Sequence, residues 1–467
     1  MTPATSRRYA LVGTGSRAAM YVDALVGIHS NAGSIVAWCD TNATRMSHYD
    51  RVLAMAGLAA PRQYGPDTFD LLMREQRPEV VIVTSPDYTH AQYVVAALDA
   101  GCDVVVEKPL TTALEPARAI AGAARDAAGR LIVTFNYRYS PRNSALRRVI
   151  ADGAIGEVTS VHFEWALDTV HGADYFRRWH RDKRNSGGLL VHKSSHHFDL
   201  VNWWLDDLPA VVYAVGGLRF YGGDNAAARG VGPRSARSTG DPLAADDPFA
   251  LDLLCDEQLR TLYFDAESDD GYIRDQDVFG PGITIEDNAA VAVTYASGAV
   301  MSYSLNAHSP WEGYRVSVNG TAGRAELEVV ERGFVLAAGA AGVVGRPAVD
   351  PSAAPDDPQA GGTRPAGHRL LVQRHWEKAQ EVPIPAGDGA HGGGDSQLLA
   401  DIFRPDTEPD PLRRRAGYVD GLRSVAVGIA ANDSLRTGTP VRIADFGLPL
   451  GSPARVGASR LAPRTRG

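Results

Sequence analysis

Two groups of residues in this chain have the types and spacing that proton transfer at a hydroxyl requires. The first is Glu107-Lys108-Pro109, which closes an apolar run at 102–106. Only four of the chain's 47 basic residues are lysines (Lys108, Lys183, Lys193 and Lys378), so a lysine at the end of a strand invites a chemical reason. The second is 188–205, GLLVHKSSHHFDLVNWWL, which reads as one long helix without internal Gly or Pro. On it His192, His196, Asp199 and Trp203 follow i, i+4, i+7 and i+11 and fall on one face. An alcohol carbon that surrenders a hydride must also lose its hydroxyl proton, which needs a base and a polarising donor on one oxygen. A lysine at the carboxyl end of a strand in an open parallel sheet stands in the crevice where such sheets bind ligands. Partial burial beside a positively charged ring would lower its pKa toward a working value. The plainer reading of Lys108 is a strand-end charge paired with Glu107. His196 can accept or relay the proton and His192 can assist. These two could instead hold zinc with Asp199 or His180 as third ligand, but no HExxH glutamate accompanies them and no metal is assigned. His197, on another face, reads as structural.

The elements that must position these groups are legible upstream. Runs beginning RYALVG, SIVAWCD, EVVIVTS, CDVVVEKP and RLIVTFN alternate with helix-length segments, the pattern of a doubly wound parallel sheet over residues 1–135. The first run enters Gly13-Thr14-Gly15-Ser16-Arg17-Ala18, a GxGxxG/A turn that opens a helix. Gly13 permits the turn, Gly15 lets the backbone approach a pyrophosphate, and the helix N-terminus binds the phosphates. Asp40, at the end of the second run, can hydrogen-bond the adenosine ribose and would repel a 2′-phosphate, which favours NAD over NADP, with Arg45 the one cation within reach. The plainer role of Asp40 is an N-cap, which Thr41 or Asn42 can serve equally.

From residue 136 to about 450 the rhythm changes to helix plus largely antiparallel sheet, with hairpin turns at ASG and NGTAG. Stretches near 221–248 and 337–366 lack large apolar side chains and read as surface insertions, and 451–467 as a disordered tail. The loop HGADYFRRWHRDKRNSGG sets aromatic, guanidinium and amide groups where they can stack on and hydrogen-bond a polyhydroxylated ring. Its Trp179, His180, Arg181, Lys183 and Asn185, with Lys193 beyond it and with Tyr137 and Arg138 after the last strand of the sheet, are the substrate candidates. The surplus of cations also suits an acidic, sulfonated or phosphorylated sugar, while the bland alternative is a charge-paired surface loop. His308 or Trp311 is a candidate to close the cleft from the sheet side.

Four motifs in order, SPDYTH (Ser85 to His90), EKP, NYRYSP (Asn136 to Pro141) and GGLLVHKSSHHFDLVNWWL from Gly187, resemble Gfo/Idh/MocA oxidoreductases over residues 8 to about 330 and the final helix. The resemblance implies that Ser85, Pro86, His90, Glu107, Lys108 and Asn136 border the cofactor, and that the EKP lysine lies beside nicotinamide and substrate. It also implies that His196 completes the site and that the chain forms a homodimer or homotetramer. One position departs: the family commonly has an aspartate four residues before that histidine, where this chain has His192. An imidazole cannot replace the charge stabilisation a carboxylate would give His196.

Composition narrows the rest. At 467 residues and 44% hydrophobic content the chain can bury two or more domains, and a net charge of -8 gives no general attraction to nucleic acid or anionic membrane. No run approaches the roughly 18 to 20 apolar residues of a membrane span, and the double arginine near the start is not followed by an export-length apolar run, so a cytoplasmic location is expected. Cys39, Cys102 and Cys255 are far apart and read as buried thiols. The leading expectation is reversible NAD-linked oxidation of a sugar, glycoside or polyol hydroxyl. Two others fit the same residues: a glycoside hydrolase that uses a recycled NAD+ to oxidise, eliminate, hydrate and reduce, and a non-catalytic NAD-binding regulator.

Overall fold

The structure, a computed structural model, describes residues 6–336, 363–385, 390–404 and 409–452. The insertion expected at 337–366 therefore lies almost wholly outside the described residues, as does the tail beyond Ser452.

Strands β1 (Arg7–Val12), β2 (Gly33–Cys39), β3 (Arg62–Tyr64), β4 (Val80–Val83), β5 (Asp103–Val106) and β6 (Leu131–Val133) form a parallel sheet in the order β6-β5-β4-β1-β2-β3. All four residues of β4 are buried, because crossover helices cover both faces of such a sheet. This is the Rossmann-type arrangement that the five apolar runs predict. The chain then builds β7 (Val158–Asp168), β8 (Pro209–Gly217), β9 (Asn288–Tyr295), β10 (Val300–Ser309), β11 (Glu312–Gly320), β12 (Gly323–Arg332), β13 (Gly367–Arg374) and β14 (Gln380–Glu381). After these come β15 (Ala416–Gly417), which returns to pair with β6, and β16 (Val441–Arg442).

The second sheet runs β14-β13-β12-β11-β7-β10-β9-β8-β16 and is antiparallel except where β7 meets β10. In β9 every second residue is buried, the alternation of a sheet with one covered face. Helix Ser194–Leu205 and helix Tyr418–Thr437 supply the cover. Gly428 of the second of these lets the turn at Leu189–His192 approach closely: a Cβ there would stand 2.5 Å from the carbonyl oxygen of Leu190.

Three expectations change. The long helix is broken at Lys193 into Leu189–His192 and Ser194–Leu205. The carbonyl of His192 accepts from Lys108 Nζ (3.3 Å) and Ser195 Oγ (3.2 Å), and His196 N–H turns to the Lys193 carbonyl (3.3 Å) instead. The stretch 221–248 is not merely surface, since Tyr221 is fully buried with its ring stacked 4.0 Å from Phe176. Cys255 is exposed, whereas Cys39 and Cys102 are buried. Among the described residues no helix is long and apolar enough to cross a membrane.

Candidate active site

A cleft of about 970 Å³ opens between the carboxyl ends of the first sheet's strands and the broken helix of the second domain. On its first-domain side Gly13 adopts φ +88°, and a Cβ there would lie 2.5 Å from the backbone nitrogen of Ser85, so only glycine fits the turn. Gly15, Ser16 and Arg17 follow along the cleft wall, and the helix Ala18–Val26 begins directly behind them. Asp40 Oδ2 accepts from the backbone N–H of Thr14 (2.5 Å) and from its hydroxyl (2.8 Å), so Thr14 is buried as a brace. Helix Ala43–Met55 is capped by Asn42, which frees Asp40 from that role. Arg45 pairs with Asp270 at 2.8 Å and lies 3.8 Å from Asp40.

Ser85, Pro86, Glu107, Lys108 and Asn136 all line the cleft, Asn136 donating to Asp395 at 2.7 Å. His90 does not. Its two ring nitrogens stand 2.9 Å from the carbonyls of Pro109 and Ser85, so it ties the EKP turn, with its cis Lys108-Pro109 bond, to the neighbouring loop from inside the protein. Glu107 accepts from Arg17 and from Tyr21, each at 2.7 Å, which leaves Lys108 without the strand-end pairing of the plainer reading.

Lys108 meets the second domain instead. Its Nζ is 3.4 Å from His192 Nε2, while His192 Nδ1 is 2.5 Å from Oδ2 of the buried Asp87. Burial pulls the pKa of Lys108 below the usual lysine range against the opposing charges of Asp87 and Glu107. It holds His192 well below the usual imidazole value, with Lys108 adding to the effect, and pushes Asp87 up in spite of Lys108 and Arg178. His180 is lowered in the same way; its ring stacks on Trp179 (3.6 Å) and meets His192 edge-on (4.2 Å). His196 also lines the cleft, its ring stacked 4.4 Å from Tyr137.

The four positions expected on one helical face thus divide. His192 and His196 reach the cleft, Asp199 turns away into a buried two-pronged pair with Arg138 (2.6 and 2.7 Å), and Trp203 donates to the Leu412 carbonyl. Asp199 is therefore no partner for a metal beside the histidines, and among the described residues no group of three potential ligands converges. His197, as expected, is structural: it bonds Tyr303 at 2.7 Å and stacks on Trp165.

Of the substrate candidates, Trp179, His180, Asn185 and Lys193 line the cleft. Tyr137 lies behind His196, its hydroxyl 3.4 Å from Lys193 Nζ. Arg138 and Arg181 are corrections. Arg138 is 2% exposed and neutralised by Asp199 and Asp420, and Arg181 is spent on Gln276 and the Pro281 carbonyl. A buried guanidinium has to find such partners, so these two hold the loops that carry the site. Lys183 is likewise paired away from the cleft, with Glu286. His308 stacks on Phe220 and Trp311 lies under Arg315, so neither closes the cleft.

Sequence reasoning missed Asp87, although SPDYTH contains it, and also Asp174, Tyr175 and Arg178. Arg178 donates to Asp174 at 3.2 Å, and that carboxylate outweighs the burial that opposes its charge. Tyr175 receives no direct signal from the sequence, since its position depends on a partner, His171 (3.0 Å), that is itself held by Glu312 (2.6 Å) on β11.

A glycine turn at the start of a helix, a carboxylate at the second strand's end and a buried lysine of lowered pKa fit a nicotinamide dinucleotide and an alcohol substrate. The family comparison agrees. The oxidoreductase family's NAD-binding Rossmann fold matches residues 7–135 and its C-terminal alpha/beta domain matches 147–443. The chain belongs to the Gfo/Idh/MocA family and is an enzyme, an oxidoreductase of the sugar and polyol dehydrogenase class. It is similar to YteT of Bacillus subtilis (strain 168), assigned by name to the oxidoreductases, with 37% identity over 387 residues, 79% of this chain and 82% of YteT. The inositol 2-dehydrogenase of Rhizobium meliloti (strain 1021) is 31% identical over 147 residues, 32% of this chain and 42% of that enzyme. In three dimensions the fold resembles a levoglucosan dehydrogenase solved with NADH and levoglucosan, with a TM-score of 0.59 and 16% identity over 94% of this chain and all of the other.

Proposed function

We propose that this enzyme oxidises a hydroxyl carbon of a sugar, glycoside or polyol by hydride transfer to NAD+. Bound in the cleft, the nicotinamide supplies the hydride acceptor. The chain's own contribution is the proton path. Neutral Lys108 takes the hydroxyl proton and passes it to Nε2 of His192, which can accept because Asp87 holds the proton of Nδ1. That contact between Asp87, His192 and Lys108 is the observation that carries the reading. Asp87, from the first domain, supplies the carboxylate missing from the helix, and we assign the relay to His192, with His196 and Tyr137 forming the wall of the substrate site.

Selectivity for NAD is supported by the two carboxylates, Asp40 and Asp270, that flank Arg45: a 2′-phosphate would meet both, and the cation is already paired. Trp179 and His180 offer a stacked face for a sugar ring, with Lys193 and Asn185 as polar contacts. We infer self-association through the open face of the second sheet, where Tyr213 and Val215 on β8 and Val300, two strands away on β10, are exposed, and a cytoplasmic site of action, where the dinucleotide pool resides. The reaction is tested by incubating the protein with NAD+ and a panel of sugars, glycosides and polyols while following reduced nicotinamide and released aglycone together. Reduction that Lys108→Ala abolishes is the expected result; aglycone release without reduced nicotinamide makes the enzyme a redox-assisted glycosidase instead.

A further inference from the structure

Between β8 and β9 the chain leaves the second sheet, and one part of it, 256–272, crosses back to the nucleotide-binding domain. It is fastened there at several points. The backbone N–H of Ser16 donates to the Tyr263 hydroxyl (3.2 Å), Asn42 Nδ2 to the Ala266 carbonyl (2.8 Å), Thr44 N–H to Asp269 (2.8 Å) and Arg45 Nε to the Leu262 carbonyl (3.1 Å). Arg45 also pairs with Asp270. Leu259 and Leu262 are buried in the same apolar cluster as Tyr21, Leu25 and Tyr49 of the first domain. At its far end Glu267 is held by Arg237, which is itself fixed to Asp275.

The points of attachment are telling. Ser16 belongs to the glycine turn whose N–H groups face a diphosphate, and Asn42, Thr44 and Arg45 follow the carboxylate that faces the adenosine ribose. The atom nearest to a Cβ built on Gly15 is the Tyr263 hydroxyl, 4.0 Å away, so this hydroxyl stands across the turn at its open side. Tyr263 accepts from Ser16 and keeps its own O–H proton to donate. Although burial works against ionisation, Arg178 and Arg274 lower its pKa, which marks a locally positive setting suited to an anion.

We propose that 256–272 is a strap over the diphosphate and adenosine half of the dinucleotide, with Tyr263 a diphosphate ligand, and that it slows the departure of the cofactor. This rests on the dinucleotide reading of the cleft.

The test loads the full-length protein with NADH, removes the excess by gel filtration, and follows the fluorescence of bound NADH after adding excess ADP-ribose. The parent should keep close to one equivalent through the column. Asp270→Asn and Tyr263→Phe, the second of which preserves the buried ring, should release it about tenfold faster or more. A parent that loses NADH on the column as fast as both variants overturns the strap while leaving the dinucleotide reading intact. Absence of any NADH binding by calorimetry overturns both.

Discussion

Asp87, in the loop after β4, and His192, at the end of a short helix in the second domain, meet at 2.5 Å between Oδ2 and Nδ1, with Lys108 on the other side of the imidazole. In the proposed relay neither domain holds the complete unit: Asp87 comes from the first domain and His192 from the second, so the packing of one against the other brings the three groups together.

Asp87→Asn keeps the size of the side chain but removes the carboxylate charge and can turn an amide donor toward Nδ1, so the imidazole's proton is no longer fixed there. It should lower kcat by about 10²-fold with little change in KM, and Lys108→Ala should cost at least as much. Steady-state kinetics on the best substrate of a sugar and polyol panel decide it. A loss confined to KM would assign Asp87 to binding alone.

Arg138 makes the opposite case. Its removal strands Asp199 in the interior, so Arg138→Leu should destabilise the fold by about 3–5 kcal/mol in urea unfolding, while KM for substrate in the folded fraction stays near the parent value. A large KM effect at unchanged stability would return Arg138 to the substrate site.

Acid should weaken the fold through its buried histidines. Burial holds His197 well below the usual imidazole range, with Lys193 adding to the effect. Above about pH 6.5 both native and unfolded states are neutral at this group; as pH falls through that value only the unfolded state takes up a proton. Stability is therefore lost on acidification, by up to about 1.4 kcal/mol per pH unit for each such group. The raised pKa of Asp87 acts in the reverse sense beside His192, so His197, bonded to Tyr303, is the cleaner probe. Urea midpoints at pH 7 and pH 5 should fall less in His197→Gln than in the parent. Equal slopes would show that His197 is protonated in the native state.

Cofactor choice should follow the carboxylates around Arg45. Asp40→Ala should reduce kcat/KM for NAD+ by about tenfold, roughly 1.4 kcal/mol, and shift the ratio toward NADP+. An unchanged ratio would place the adenosine ribose elsewhere.

The open sheet face should carry any self-association. Val215→Arg, at a position 51% exposed, should move the sedimentation profile toward a smaller species without changing the unfolding midpoint. An unaltered profile assigns the contact to another surface.

What the sequence displayed and what it hid have separate physical causes. The strands β1, β2, β4, β5 and β6 were legible because a sheet covered on both faces demands nearly continuous apolar runs, and β9 to β12 because a half-covered sheet demands alternation. The glycine turn and Lys108 stood out because close backbone approach and a scarce amine leave marks in composition. The contact of Asp87 with His192 joins residues 105 apart, and no periodicity encodes such a meeting. Arg138 and Arg181 sit in polar stretches that resemble a binding loop, yet burial obliged each to pair inside the protein. The break at Lys193 was hidden because it arises when Lys108, from another domain, captures the carbonyl of His192. Residues 256–272 gave no warning of their return to the first domain, since their anchors are single polar contacts spread over short turns.

The most direct measurement uses sugars, uronic acids and cyclitols deuterated at every carbon that bears a hydroxyl. Each is incubated with the NAD+-loaded protein for a single turnover, the protein is denatured, and the released nicotinamide is examined by mass spectrometry. Hydride transfer predicts one deuterium in the nicotinamide from at least one substrate, lost in the Lys108→Ala protein. Bound nucleotide that never acquires the label from any member of the set would contradict the account.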